Sequence, residues 1–353
     1  MAKKKYITEM NRLKRAQQKK AAARFYNLNS ILGNDWAIFY CLCGSRMTGK
    51  SYALTDFLCR RKKKLGDQCK NYWMRISETS TKALLANKAQ KLVDPDLYRK
   101  YDLDLSTKGM EVYDHGKPFM TVIPLSSYGK AKGLTFYDKD YTGEYNIVLD
   151  EFQLEVGERR TSFNILYAFM TQIETLVRTT KTRIRIFLVG NTLEEASTIL
   201  KAFNFLPDKF GRFYLKKKRC IIDNMEPTEE YFKDRQGSAA DILGGDTMSN
   251  YTNELNKDLS MIYKGPLRKP TDVIRFGKDK GDWYAVWDNK IIRRYKNEQI
   301  ANERHIAMRP YLDCVFNKEK QKWVIEMYDA KAWSFCSLID KAYFQEALSL
   351  IRK

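Results

Sequence analysis

The octapeptide Gly44-Ser45-Arg46-Met47-Thr48-Gly49-Lys50-Ser51 follows directly on an apolar run, Trp36 to Cys43, and constrains the fold more than any other stretch. It fits the pattern G-x-x-x-x-G-K-[ST]. The glycines let the backbone curl so that successive N–H groups converge on phosphate oxygens. Lys50 then reaches the β- and γ-phosphates, and the Ser51 hydroxyl can sit on Mg²⁺. Such a loop needs a buried strand before it and a helix after it. Ala37-Ile38-Phe39-Tyr40-Cys41-Leu42-Cys43 reads as a parallel strand covered on both faces, and Tyr52-Ala53-Leu54-Thr55-Asp56-Phe57-Leu58 reads as the helix. A Gly-rich turn with no ligand would not require that context.

A second pattern completes the first. Asn146-Ile147-Val148-Leu149 leads into Asp150-Glu151, an apolar strand ending in two carboxylates. Asp150 is suited to hold Mg²⁺ through water, and Glu151, just past the strand end, to polarise the water that attacks a γ-phosphate. The run Ile184–Val189 ends in Gly190-Asn191-Thr192, so Asn191 is either a sensor of the γ-phosphate or a turn residue. Arg46 and Arg178 are candidates for stabilising the transferring phosphoryl group, because guanidinium stays charged and forks onto phosphate oxygens.

The 353 residues carry 63 Lys+Arg against 43 Asp+Glu, a net charge of +20, which points to a polyanionic partner. Lys3, Lys4, Lys5, Arg12, Lys14, Arg15, Lys19, Lys20 and Arg24 face Glu9 alone, making residues 1–30 a basic arm with little apolar periodicity. Further runs, Arg60-Arg61-Lys62-Lys63-Lys64 and Lys216-Lys217-Lys218-Arg219, are either phosphate contacts or solvated surface. The 7 cysteines have no framework spacing, which reads as a reducing, cytoplasmic setting. His115 and His305 have no partner at ligand spacing, so zinc is not expected. No run approaches the ~18 apolar residues of a membrane span.

From residue 31 to 224 short apolar runs alternate with amphipathic segments, as in an α/β sheet. Strands are expected at Trp36–Cys43, Asn71–Ile76, Phe119–Ile123, Ile147–Leu149, Ile184–Val189 and Arg212–Ile222. A helix is expected from Ser162 to Thr179, burying Phe163, Leu166, Tyr167, Met170, Ile173, Leu176 and Val177 as one stripe. Residues 225–264 read as a linker, partly helical. In 265–353, Thr271–Phe276, Trp283–Trp287, Lys290–Tyr295, Pro310–Phe316 and Trp323–Tyr328 read as aromatic-rich strands, with a turn at Asp288-Asn289 and a terminal helix from Ser337 to Ile351.

Several of these features recur in one order. They are the arginine-containing loop, the strand Trp73-Met74-Arg75, the segment Pro124-Leu125-Ser126 with Lys130 and Lys132 after it, Asp150-Glu151-Phe152, and Arg178 followed by a strand and Asn191. In that order the chain resembles the genome-packaging motor ATPases of phi29-like short-tailed bacteriophages, small relatives of the terminase large subunits, over roughly Ile38 to Ile222. The C-terminal segment resembles them more loosely, in layout. The resemblance implies an α/β P-loop ATPase of the additional-strand, RecA/FtsK-like kind, followed by a smaller β-rich, vestigial RNase H-like nuclease domain.

It further implies that Gly44 to Ser51 and Asp150 hold ATP, that Ser51 and Asp150 hold Mg²⁺, and that Glu151 serves hydrolysis. Arg178 and Lys132 would act in trans on a neighbouring subunit's nucleotide in a homomeric ring, of five subunits by that likeness, with Lys130 as the alternative lysine. The implied function is ATP-driven translocation of double-stranded DNA into a viral procapsid through its portal, in the host cytoplasm, without a membrane. A structural packaging RNA is an optional partner. Two-metal cleavage needs carboxylates converging within about 4 Å of shared metals, whereas Asp288, Asp313 and Asp329 are dispersed, so no nuclease activity is expected. The competing readings are a replicative helicase or other P-loop ATPase, and a basic nucleic-acid-binding scaffold with a degenerate nucleotide site.

Overall fold

Stretches such as Ile147-Val148-Leu149 and Ile186-Phe187-Leu188-Val189 offer no polar residue to turn toward water, and all seven side chains are buried. Runs of this kind become central strands of a parallel sheet, covered on both faces. The computed structural model describes residues 25–129, 141–152, 161, 163–177, 182–191, 197–244, 259–267, 270–275, 283–287, 290–295, 311–313 and 317–352. Residues 1–24 of the basic arm, Lys130, Lys132, Arg178, His305 and the turn Asp288-Asn289 lie outside them. The chain divides into two units, Met1–Ile199 with Lys209–Leu255, and Leu200–Asp208 with Asn256–Lys353.

In the first unit nine strands form one sheet: β1 (Phe39–Cys43), β2 (Cys69–Arg75), β3 (Leu105–Lys108), β4 (Glu111–Asp114), β5 (Lys117–Pro124), β6 (Glu144–Asp150), β7 (Arg183–Gly190), β8 (Gly211–Leu215) and β9 (Cys220–Asn224). Their order is β3-β4-β5-β2-β6-β7-β1-β9-β8. Neighbours from β5 through β9 pair in parallel, while the β3-β4 hairpin and β8 are antiparallel additions at the two sides. Helices here include α1 (Lys50–Leu65), α2 (Glu78–Ala89), α3 (Pro95–Tyr101), α4 (Ile165–Leu176), α5 (Glu229–Arg235) and α6 (Ala239–Gly244). One strand, β7, separates loop-bearing β1 from carboxylate-bearing β6, which is the additional-strand arrangement. Register aligns Cys43 with Gly190, Asp150 with Val189, and Met74 with Leu149. The C-terminal ends of β1, β7, β6 and β2 therefore share one edge of the sheet, where ligands of open α/β folds bind.

Two expectations are corrected in this unit. The run Arg212–Ile222 is two strands, β8 and β9, folded back on each other across a turn at Lys216–Lys218. Helix α4 is shorter than expected and buries Ala168, Phe169, Gln172 and Leu176, while Tyr167 and Met170 are 57% and 43% exposed. Apolar residues occupy most of its circumference, so periodicity alone did not select the buried face.

In the second unit β10 (Asp272–Arg275), β11 (Trp283–Trp287) and β12 (Ile291–Tyr295) form an antiparallel meander, extended by β13 (Tyr311–Asp313) beside β10 and β14 (Ser334–Phe335) beside β12. Helix α7 (Lys318–Asp329) follows β13, and helix α8 (Leu338–Ile351) follows β14. Tyr284, Trp333, Phe335 and Phe344 pack largely edge to face in its core. The expected strand Trp323–Tyr328 is instead the second half of α7, which buries Val324 and begins where the Asn317 side chain accepts from Lys320 N at 3.0 Å. Among the described residues no helix is long and apolar enough to cross a membrane.

Candidate functional site

The loop between β1 and α1 is held from three sides. Gly44 N donates to Asn191 O at 3.1 Å, tying the loop to the end of β7. Tyr26 N donates to Thr48 O at 2.9 Å, and Thr48 Oγ1 donates to Ser45 O at 3.0 Å. Gly49 has φ 83°, a conformation that calls for glycine, and a Cβ there would also crowd the Phe25 ring at 3.1 Å. Lys50, only 5% exposed, turns its Nζ back over the loop and donates to Gly44 O and Ser45 O, each at 2.7 Å. Burial depresses the Lys50 ammonium to about 8, with the Asp150 charge acting in the opposite direction.

The carboxylates are set by how the chain leaves β6. Phe152 N donates to Val189 O at 3.1 Å, and its buried ring lies where a Cβ on Gly190 would come within 2.8 Å. Anchored there, the chain puts Glu151 in the left-handed region at φ 57°, with its side chain 51% exposed. Asp150 stays buried at the strand end. Arg75, at the end of β2, reaches both: its guanidinium is 2.7 Å from Asp150 Oδ2 and also touches the Glu151 carboxylate. Burial pushes the Asp150 carboxyl up, Arg75 opposes this, and the Glu151 charge adds to it.

Arg46, Met47, Thr48, Gly49, Lys50, Ser51, Asp150, Glu151 and Asn191 line a single cleft of about 340 Å³. Gly44 and Ser45, in the same loop, instead accept from Lys50 Nζ through their carbonyls. Lys132 and Arg178 lie outside the described residues. Arg75 also lines this cleft, although its residue type had suggested no role in the sequence. The available signal was an arginine ending the strand beside the one that carries Asp150-Glu151.

A second cleft, of about 290 Å³, shares Thr48 with the first and is lined by Phe25, Asn27, Met225, Glu226 and Tyr231 among others. Its wall is stiffened by Asp223, which accepts from Tyr26 Oη at 3.0 Å and from the Arg212 guanidinium at 2.8 Å. At the opposite end of α1, Arg61 binds both oxygens of Glu144 on β6 at 2.7 and 2.6 Å, and Arg185 on β7 reaches the same carboxylate at 3.0 Å. Burial alone would raise Glu144, but the two guanidinium groups hold its carboxyl down at about 2. The helix that starts at Lys50 is thus pinned to the strands that end at Asp150 and Gly190.

Comparison with known proteins agrees with this architecture. Residues 20–260 match the family described as Podovirus DNA encapsidation protein (Gp16). Among solved structures, the genome packaging motor assembly of bacteriophage Phi-29 is similar at 19% identity, over 93% of this chain and 100% of that one, with a TM-score of 0.62. The Phi-28 gp11 DNA packaging motor is similar at 15% identity, over 93% and 98%, with a TM-score of 0.59. The N-terminal domain of the bacteriophage phi29 DNA packaging ATPase aligns at 24% identity over 58% and 98%, with a TM-score of 0.48. No curated protein matches the chain.

Proposed function

The chain belongs to the Podovirus DNA encapsidation protein family, and from that premise we propose that it is the ATP-hydrolysing subunit of a motor that drives double-stranded DNA into a procapsid. The observation that carries this reading is the convergence of Lys50, Asp150 and Glu151, from α1, β6 and the turn after β6, on one cleft. A triphosphate in that cleft would draw the Lys50 Nζ from loop carbonyls onto phosphate oxygens. Glu151, exposed and acceptor-only when ionised, orients the attacking water and takes up its proton.

Ser51 and Asp150 offer hard oxygen donors in the lining of the same cleft, which suits Mg²⁺, and they would hold it; the metal's chemistry there would be to neutralise phosphate charge. The adjoining cleft, where the aromatic rings of Phe25, Tyr26 and Tyr231 stand among polar side chains such as Asn27, Thr228 and Glu226, would take the base. Asn191 and Arg46 face the phosphate end. Arg178 and Lys132 complete the site of a neighbouring subunit in a ring, which makes the interface heterologous. Residues 265–353 serve nucleic-acid binding without cleavage, and the assembly works in the host cytoplasm on a procapsid portal, with a packaging RNA as an optional component.

Hydrolysis and nucleotide binding by Glu151→Gln and Lys50→Ala test the assignment. Glu151→Gln retains ATP and loses DNA-stimulated turnover, and Lys50→Ala weakens both. Equal turnover by wild type and Glu151→Gln would remove Glu151 from the chemistry.

A further inference from the structure

The sheet edge opposite the nucleotide cleft carries a rigid cluster of cations that the ATPase reading does not use. β9 runs from Cys220, beside Phe39, to Asn224, beside Cys43. At about 3.3 Å per residue its entry lies some 13 Å from the loop end of the sheet. At that entry the β8-β9 hairpin turns through Lys216, Lys217, Lys218 and Arg219, all exposed. The turn is fixed: β8 and β9 pair in unbroken register, Arg219 adopts φ 50°, and its Nε donates to Trp36 O at 2.9 Å. Arg183 opens β7 on the same edge, 49% exposed, with Asp35 as its partner at 2.5 Å. Neither Lys216 nor Lys217 has an acidic partner among the described residues. Trp36 and Tyr214, with ring centroids 6.3 Å apart, flank the turn, and Tyr214 is 49% exposed.

We propose that this edge, centred on Lys216, Lys217 and Lys218, is a docking surface for the phosphate backbone of duplex DNA. Like charges placed side by side on a stiff turn repel one another, and a polyanion relieves that repulsion while releasing its own counterions. From β7 to β8 the edge spans three strand spacings, about 14 Å, whereas a DNA strand presents a charge every ~3.4 Å of axis, so several phosphates of one strand fit along it. Duplex DNA is favoured over an acidic patch on a second copy of this chain because its charge is dense and continuous along the edge. The family's cargo supplies the anion, and the surface reads backbone rather than sequence.

The test uses the full chain with Lys216→Ala, Lys217→Ala and Lys218→Ala combined, and a fluorescent DNA duplex titrated at several salt concentrations. The slope of log affinity against log salt should fall by about 0.9 for each phosphate that is no longer neutralised, up to about 2.7 for all three. Binding of a fluorescent ATP analogue should stay unchanged, which separates this surface from the nucleotide reading. Combined alanines at Lys91, Lys108 and Lys117, exposed lysines elsewhere on the first unit, should leave the slope nearly intact. Lys217→Ala alone carries the test if the triple variant misfolds, with a fall of about 0.9. An unchanged slope, an equal fall in the control, or a loss confined to an RNA duplex would each overturn the proposal.

Discussion

At the residue scale the cleft stores electrostatic strain that nucleotide binding should release. Lys50 is depressed to about 8 because burial disfavours its charge, so above that pH the free protein loses the proton. A bound triphosphate favours the charged form and raises the pKa again. Nucleotide binding between about pH 8 and 9.5 should therefore take up a proton, and affinity should decline as pH rises through that window. Calorimetry in two buffers of different ionisation enthalpy measures the uptake directly, and Lys50→Arg, charged throughout, should abolish it. No uptake by the wild type would mean that Lys50 does not meet the phosphates. Arg75 acts in the other direction on Asp150, holding down a carboxyl that burial raises. Arg75→Ala should move the acidic limit of Mg²⁺-dependent nucleotide binding to higher pH; an unmoved limit would make the ion pair incidental.

At the element scale, the strands that position the cleft were readable because buried parallel strands have a distinctive apolar signature. β6 and β7 stand where Ile147–Leu149 and Ile184–Val189 pointed, β1 occupies the second half of the expected Trp36–Cys43, and the cleft residues follow from their ends. The β8-β9 hairpin was hidden because Lys216–Arg219 contains no Gly, Pro or Asn to mark a turn, and Arg219 itself supplies the left-handed residue. Helix α7 was masked by aromatic and branched residues at Trp323 to Tyr328, although Asn317 ahead of a lysine-rich turn was an available start signal. The partners of Arg75 and Glu144 were illegible for another reason: a lone charged residue in a strand shows its partner only after folding. Glu144→Gln should leave Arg61 and Arg185 facing each other across a buried site and cost about 3–5 kcal/mol, seen as a lowered Tm. With its carboxyl held at about 2, the wild-type contribution is present above pH ~4.5 and diminishes as pH falls toward 2. Glu144→Gln should accordingly flatten the acid limb of the Tm–pH curve, and a parallel curve would show that other carboxylates set it.

At the scale of the whole molecule, the proposed mechanism adds to the cleft lined by Lys50, Asp150 and Glu151 a group from outside the subunit. Arg178 is the proposed source. Removing an arginine finger commonly costs ~10³-fold or more in turnover, whereas an exposed salt bridge is worth less than about 1 kcal/mol, so the two roles are far apart. Arg178→Ala retains its own loop, and Glu151→Gln retains its own Arg178. Where an Arg178→Ala subunit holds ATP and a Glu151→Gln subunit supplies the guanidinium, every required group is present at one interface. Mixing two inactive variants at concentrations where they co-assemble should therefore restore part of the DNA-stimulated hydrolysis. If sedimentation confirms co-assembly and no activity returns, Arg178 acts within its own subunit or every site must fire in turn. Those two outcomes separate on dilution of wild type with Arg178→Ala: a linear decline of activity indicates action within the subunit, and a decline steeper than the mutant fraction indicates coupled sites. Full activity of Arg178→Ala alone would reduce the arginine to a structural part of the chain between α4 and β7.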